Sequence, residues 1–242
     1  MNLLLLHPAD YISEDCVEIY DYRFQHLMTI HKVTKNQTIK VGLINQKVGT
    51  GEVCEIYNDK IRLKITLIEN SPNETPLNLV LALPRPKMLN RILQTVATVG
   101  IKNLVLVNSY KVEKSYWQSP HLSDENIQQQ LVLGLEQGKD TILPKVYLKK
   151  RFKPFIEDEF NTMNEGRQTF VAHPNTQKAC PQNVTEPITL VVGPEGGFID
   201  YEIQLLNKMG CQSINLGTRI LKVEQAIPAL VYRIFSNSTL GI

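Results

Sequence analysis

The residues best suited to chemistry fall in three short stretches of the C-terminal half. The apolar run 188–192 enters Gly193-Pro194-Glu195-Gly196-Gly197. A buried strand that ends in a glycine-rich turn before a helix is where open α/β sheets bind ligands. Free N–H groups at such a helix start attract anions and acceptors, yet Glu195 inside the turn would repel a phosphate. The turn matches neither the dinucleotide fingerprint nor the P-loop. A neutral or cationic ligand suits it better, and a purely structural strand-to-helix turn is the plain alternative. The second stretch, Leu216-Gly217-Thr218-Arg219-Ile220-Leu221-Lys222-Val223-Glu224-Gln225-Ala226, also follows a strand and precedes a helix. Arg219, Lys222 and Glu224 stand close together beside an apolar strand end. Half-buried charges need partners, so the cluster suits a site, although it equally suits an exposed helix start. The third is Ala172-His173-Pro174, again at a strand end. A lone histidine there is more often structural than catalytic, but three marked loops from three strand ends can converge on one pocket.

The elements that must position these loops follow from periodicity. From residue 77 onward, continuous apolar runs alternate with helical spacing. Strands are predicted over 77–83, 101–107, 146–148, 169–172, 188–192 and 213–216, and helices over 88–99, 123–138, 154–163, 200–210 and 223–235. Asp200 is placed as the cap of the fourth helix, and Pro228 in the last one is tolerable only in the first turn or as a kink. Continuous apolar strands joined by helices imply a parallel sheet covered on both faces. Before residue 70 the pattern differs. Residues 38–44, 51–57 and 61–67 alternate apolar and polar, separated by turn residues, which predicts short strands of a small barrel or sandwich, with one helix over 23–33. Residues 69–76 are polar with two prolines and read as a linker. The expected division is therefore 1–70, a β-rich domain; 71–76, a linker; and 77–242, an α/β domain.

The 242 residues, 43% of them hydrophobic and 21% charged, fit an ordinary globular protein of one or two domains. Residues 3–6 are apolar but lack a basic flank, and Pro8 ends the run too early for a signal peptide. No stretch has the roughly 18 apolar residues of a spanning helix, so no membrane role is expected and the cytoplasm is the expected location. Cys16, Cys54, Cys180 and Cys211 are far apart, with no C-x-x-C pair, so no metal site is expected. The net charge of +2 says little by itself. Two basic windows, 83–118 and 139–153, could meet phosphates or could be solvated faces.

At the quoted motifs the chain resembles a known family. G-P-E-G-G at 193–197 together with L-G-x-R-I-L-K-x-E-x-A at 216–226 is similar to the bacterial 16S ribosomal RNA uridine N3-methyltransferases of the SPOUT class. The L-G-L-E-Q segment at 133–137, Leu143-Pro144 and a β-rich N-terminal domain also look like that family, and the resemblance spans essentially the whole chain. It implies a SPOUT-type α/β C-terminal domain with a parallel sheet and a trefoil knot, preceded by a PUA-like β-barrel that helps grip RNA. It implies S-adenosylmethionine as cofactor, held by Ala172, His173 and Pro174, by Val192, Gly193, Pro194, Glu195, Gly196 and Gly197, and by Leu216, Gly217, Ile220 and Leu221. It implies 16S ribosomal RNA of the small subunit as substrate and a homodimer with the site near the subunit interface. In that setting Arg219 is the candidate to stabilise the uracil or its phosphate, Lys222 to favour the uracil anion, and Glu224 to accept the N3 proton or orient Arg219.

The chain departs from the family pattern in places. Where the family reads L-R-x-E-T-A, this sequence has Leu221-Lys222-Val223-Glu224-Gln225-Ala226, and lysine cannot make arginine's two-pronged contact. Residues 94–100 lack the K-x-x-E-L-G pattern, and Gly138-Lys139-Asp140 stands where relatives have an arginine after E-Q. Alternatives are a SPOUT methyltransferase with another RNA target and an RNA-binding paralogue without catalysis. A Rossmann-type nucleotide enzyme is disfavoured by the absent glycine fingerprint and by Glu195.

Overall fold

Alternating and continuous apolar runs become two separate sheets in a computed structural model that describes residues 2–236. Two units divide the chain. One runs to Pro72 and takes in Val132–Leu143; the other comprises Asn73–Leu131 and the chain from Pro144 onward.

The first unit holds a six-stranded, barrel-like sheet in the order β1-β4-β5-β6-β3-β2. Its strands are β1 (Leu4–Leu6), β2 (Tyr11–Ser13), β3 (Cys16–Ile19), β4 (Thr38–Leu43), β5 (Val48–Ile56) and β6 (Ile61–Glu69). Only β1 and β4 pair in parallel; the other pairs are antiparallel. The inward residues of the alternating strands, among them Val41, Val53, Ile61 and Leu63, form one apolar core with Leu4, Leu6, Val17 and Ile19. The helix expected over 23–33 is short: α1 (Tyr22–His26) passes into a π turn, Leu27–His31, that buries Leu27. The segment Val132–Leu143 groups with this sheet rather than with the domain expected from residue 77 onward. Its hydrogen bonds explain why: the Glu136 carbonyl accepts from the N–H groups of Asn2 and Leu3, and the Thr141 hydroxyl donates to the Gln46 carbonyl. The linker is also shorter than the expected 69–76. Strand β6 extends through Glu69, and the next strand starts at Thr75, whose buried hydroxyl donates to the Val99 carbonyl at 2.6 Å.

The second unit is an all-parallel sheet in the order β12-β10-β11-β7-β8-β9. Its strands are β7 (Thr75–Ala82), β8 (Ile101–Val107), β9 (Lys145–Lys149), β10 (Gln168–Ala172), β11 (Ile188–Val192) and β12 (Gln212–Ile214). The crossovers carry α2 (Pro86–Thr98), α3 (Asp124–Gly138), α4 (Phe152–Pro154), α5 (Phe160–Met163), α6 (Asp200–Lys208) and α7 (Val223–Ile234). Helix α2 turns Leu89, Ile92, Leu93, Val96 and Ala97 inward, an i, i+3, i+4 stripe. The single helix expected over 154–163 is instead α4 and α5 joined by a π turn, Phe155–Glu159. Asp200 is the first helical residue of α6 and not its cap. The first turn is closed by Glu202, whose carboxylate accepts from the Ile199 N–H at 3.0 Å. Strand β12 stops at Ile214, so Leu216 lies in the loop; the Asn215 side chain ends the strand by accepting from the Gly217 N–H at 3.0 Å. Pro228 lies inside α7, beyond its first turn. Among the described residues no helix is long and apolar enough to cross a membrane.

Candidate active site

The strand order brings the three motifs together. β10 lies between β12 and β11, and Ala172, the last residue of β10, is in register with Val192 of β11 and Ile214 of β12. Three neighbouring parallel strands therefore end side by side, and their outgoing loops must leave from the same edge. These are the loop from Ala172, the turn from Val192 and the loop from Asn215. They enclose a cavity of about 500 Å³.

All thirteen residues expected to hold a cofactor line that cavity: Ala172, His173, Pro174, Val192, Gly193, Pro194, Glu195, Gly196, Gly197, Leu216, Gly217, Ile220 and Leu221. Of the three residues expected to act on substrate, Arg219 and Lys222 line it too, whereas Glu224, half-buried in the first turn of α7, does not. The lining also includes residues that were not expected to hold the cofactor or act on substrate, notably Lys111, Phe198, Asn215, Ala226 and Leu230. Ala226 closes the second motif, and apolar spacing in the last helix could have suggested Leu230. Lys111 sits in a loop after β8, where the sequence marks it only as one cation of the basic window 83–118.

The turn after β11 is built for close backbone approach. A side chain at Gly193 would place its Cβ 3.2 Å from the Phe198 ring, so only glycine fits without displacing that ring. Gly197 has φ +69, the left-handed region that other residues reach only with strain. Its N–H donates to the Pro194 carbonyl at 2.7 Å, closing the turn. The Glu195 carboxylate accepts from the Arg85 N–H at 3.1 Å, so the one carboxylate of the lining is engaged by backbone. The second loop is different. Leu216, Ile220 and Leu221 are exposed apolar residues, Ile220 at 83%, and Arg219 and Lys222 have no ion-pair partner among the described residues. The arrangement offers backbone donors and acceptors on one side of the cavity, apolar surface for a flat ring, and two uncommitted cations at its open edge.

Comparison with known proteins places this geometry. The RNA methyltransferase domain family matches residues 71–234, which include all three loops. The chain is 26% identical to ribosomal RNA small subunit methyltransferase E of Treponema pallidum, over 98% of this chain and 92% of that protein. It is also 26% identical to ribosomal RNA small subunit methyltransferase E 1 of Borreliella burgdorferi, over 93% and 94% respectively. Among solved structures, the Neisseria gonorrhoeae ribosomal RNA small subunit methyltransferase E bound to S-adenosyl methionine superposes with a TM-score of 0.73 at 22% identity, covering 96% of this chain and 95% of that one. A Legionella pneumophila methyltransferase with SAM bound superposes with a TM-score of 0.74 at 18% identity, covering 95% of each chain. These likenesses establish a shared fold of barrel-like sheet and parallel α/β sheet. Matched over most of its length and carrying the three loops at one sheet edge, this chain belongs to the RNA methyltransferase domain family.

Proposed function

We propose that the chain transfers a methyl group from S-adenosylmethionine to N3 of a uridine in 16S ribosomal RNA of the small subunit. The observation that carries this reading is the convergence of the three loops on one cavity. The residues present suit that cofactor. Its sulfonium is cationic, which a turn bearing Glu195 tolerates and a phosphate would not. Its adenine needs apolar cover, which Phe198, Leu221 and Leu230 offer, and its polar groups need backbone partners, which residues 172–174, 192–197 and 216–221 supply. When bound, the cofactor provides an activated methyl group.

What this chain adds is placement and charge. Uridine N3 carries a proton and becomes nucleophilic only as that proton leaves. Arg219 and Lys222, on the same loop, stabilise the negative charge that then develops on the uracil oxygens, while the walls fix the approach. Glu224 lies off the lining, so in this reading it orients the loop that carries Arg219, and the N3 proton passes to a water molecule at the open edge of the cavity. The knot loops of the SPOUT class correspond here to the three loops just described. The first unit, which a short linker joins to the catalytic domain, assists RNA binding. The Tyr57 ring, its centroid 5.4 Å from Lys60 Nζ and 5.5 Å from the Arg62 guanidinium carbon, supports this by pairing an aromatic face with cations. A homodimer that covers the exposed Leu216, Ile220 and Leu221, acting in the cytoplasm where ribosomal subunits are made, completes the reading.

The test is incubation of purified protein with methyl-labelled S-adenosylmethionine and small ribosomal subunits lacking uridine N3-methylation, followed by nuclease digestion and mass spectrometry. Label on uridine N3 is the expected result. Cofactor binding without label on these subunits would overturn the assignment of substrate and, with the changes at Lys222 and Gln225, favour a different RNA target.

A further inference from the structure

We propose that Lys111, outside all three loops, is a positioning residue for the cofactor turn, locking the Gly196–Gly197 peptide in the orientation the cavity requires; this rests on the cofactor reading above.

The case starts with the chain leaving β8. The Tyr110 N–H donates to Glu202 Oε1 at 2.8 Å, while the other oxygen of that carboxylate accepts from the Ile199 N–H at 3.0 Å. Glu202 is only 3% exposed. One buried carboxylate thus ties the segment after β8 to the start of α6, two residues beyond the glycine turn. A charge-assisted bond from each oxygen makes this a firm tie. It fixes the backbone from which Lys111 extends.

The Lys111 side chain then lies over the turn. Its Nζ donates to the Gly196 carbonyl at 2.7 Å. Its stem runs so close to Gly196 that an added Cβ there would sit 3.0 Å from Lys111 Cδ. Among the described residues it pairs with no carboxylate. An exposed lysine ordinarily extends into water or toward an acid; this one is directed onto a backbone carbonyl in the wall of the cavity.

The consequence lies in the peptide that follows. The Gly196 carbonyl and the Gly197 N–H belong to one planar unit. Lys111 holds its oxygen, and the Pro194 carbonyl accepts from its N–H at 2.7 Å. Between two glycines a peptide unit can rotate with little steric resistance. Gripped at both ends, it cannot turn without breaking both bonds. Lys111 therefore supplies the rigidity that two adjacent glycines lack, and leaves their small size available for close approach.

The test uses the intact protein with Lys111→Met, which keeps the stem, and Lys111→Arg, which keeps a donor. In the unliganded protein, amide hydrogen exchange at Gly197 reads the peptide directly, without reference to any cofactor. Lys111→Met is expected to speed that exchange about tenfold, with Lys111→Arg near the parent. By calorimetry Lys111→Met is expected to weaken S-adenosylmethionine binding about tenfold and Lys111→Arg to recover most of it. Unchanged exchange at Gly197 in Lys111→Met would overturn the proposal, whatever the cofactor proves to be. Faster exchange with no binding of S-adenosylmethionine by the parent would leave the locking role standing and overturn the cofactor reading. Loss of RNA affinity alone, with exchange and cofactor binding intact, would move Lys111 from the turn to the substrate.

Discussion

Charges in the two units are used in opposite ways. In the first unit Arg23 is 3% exposed, and each of its five N–H groups has an acceptor among Asp10, Asp21 and the Leu5 carbonyl, at 2.7 to 3.0 Å. In the second unit Arg219 and Lys222 are exposed at the cavity edge with no ion-pair partner among the described residues. A buried cation must be fully paired, and pairing leaves it nothing to offer a ligand. An exposed, unpaired cation contributes little to folding but keeps its donors for an incoming oxygen. The difference separates residues that hold the fold from residues that can act on a substrate, and it is open to direct attack.

The largest expected effect is in the first unit. Asp10→Ala leaves the Arg23 guanidinium buried with half its carboxylate partners and should cost about 3–5 kcal/mol of stability, read by urea unfolding. A loss below about 1 kcal/mol would mean the network is not structural. Arg219→Ala should do the reverse, leaving stability within about 0.5 kcal/mol while lowering methyl transfer about a hundredfold. A parental rate would remove Arg219 from the mechanism. Glu136 offers a third case, a buried carboxyl that accepts a weak bond from the Leu5 N–H at 3.5 Å. Burial pushes its pKa up to about 7 from 4.5, against the pull of the Leu5 N–H and Arg23. A raised carboxyl pKa favours the protonated fold, so stability is greatest below the ordinary carboxylate range. It falls as pH rises toward 7 and is fully reduced above that. Glu136→Gln should therefore be the more stable protein at pH 8, by about 2–3 kcal/mol, with the advantage shrinking toward pH 4. Equal pH profiles by thermal unfolding would refute this. The smallest effect belongs to Lys222→Arg, which restores the forked donor of the family motif and should raise methyl transfer about threefold with no change in stability.

Much of the second unit was legible because its strands are buried on both faces. The apolar runs 101–107 and 188–192 match β8 and β11 to the residue, and helix α3 starts and stops within a residue of expectation. The first unit was harder. β1, β2 and β3 are three or four residues long, too short for periodicity to register. The two π turns, Leu27–His31 and Phe155–Glu159, arise inside helical spacing and leave no mark in it. Asp200 looked like a cap by residue type, but Glu202 reached the free N–H first. Lys111 was legible only as one cation of a basic window, because a loop lysine has no periodic partner; only the fold puts Gly196 beside it.

The sequence by itself determined most elements of the second unit, the glycine-rich turn and the loop bearing Arg219 and Lys222, because periodicity, turn chemistry and charge are written locally along the chain. Only the tertiary structure decided that β12, β10 and β11 lie side by side, so that loops from residues 172, 192 and 215 share one cavity. It also decided that Val132–Leu143 joins the first unit and that Lys111 grips the turn. Those outcomes depend on pairings between residues tens of positions apart, chosen by the burial of whole faces at once, and no local pattern encodes that choice.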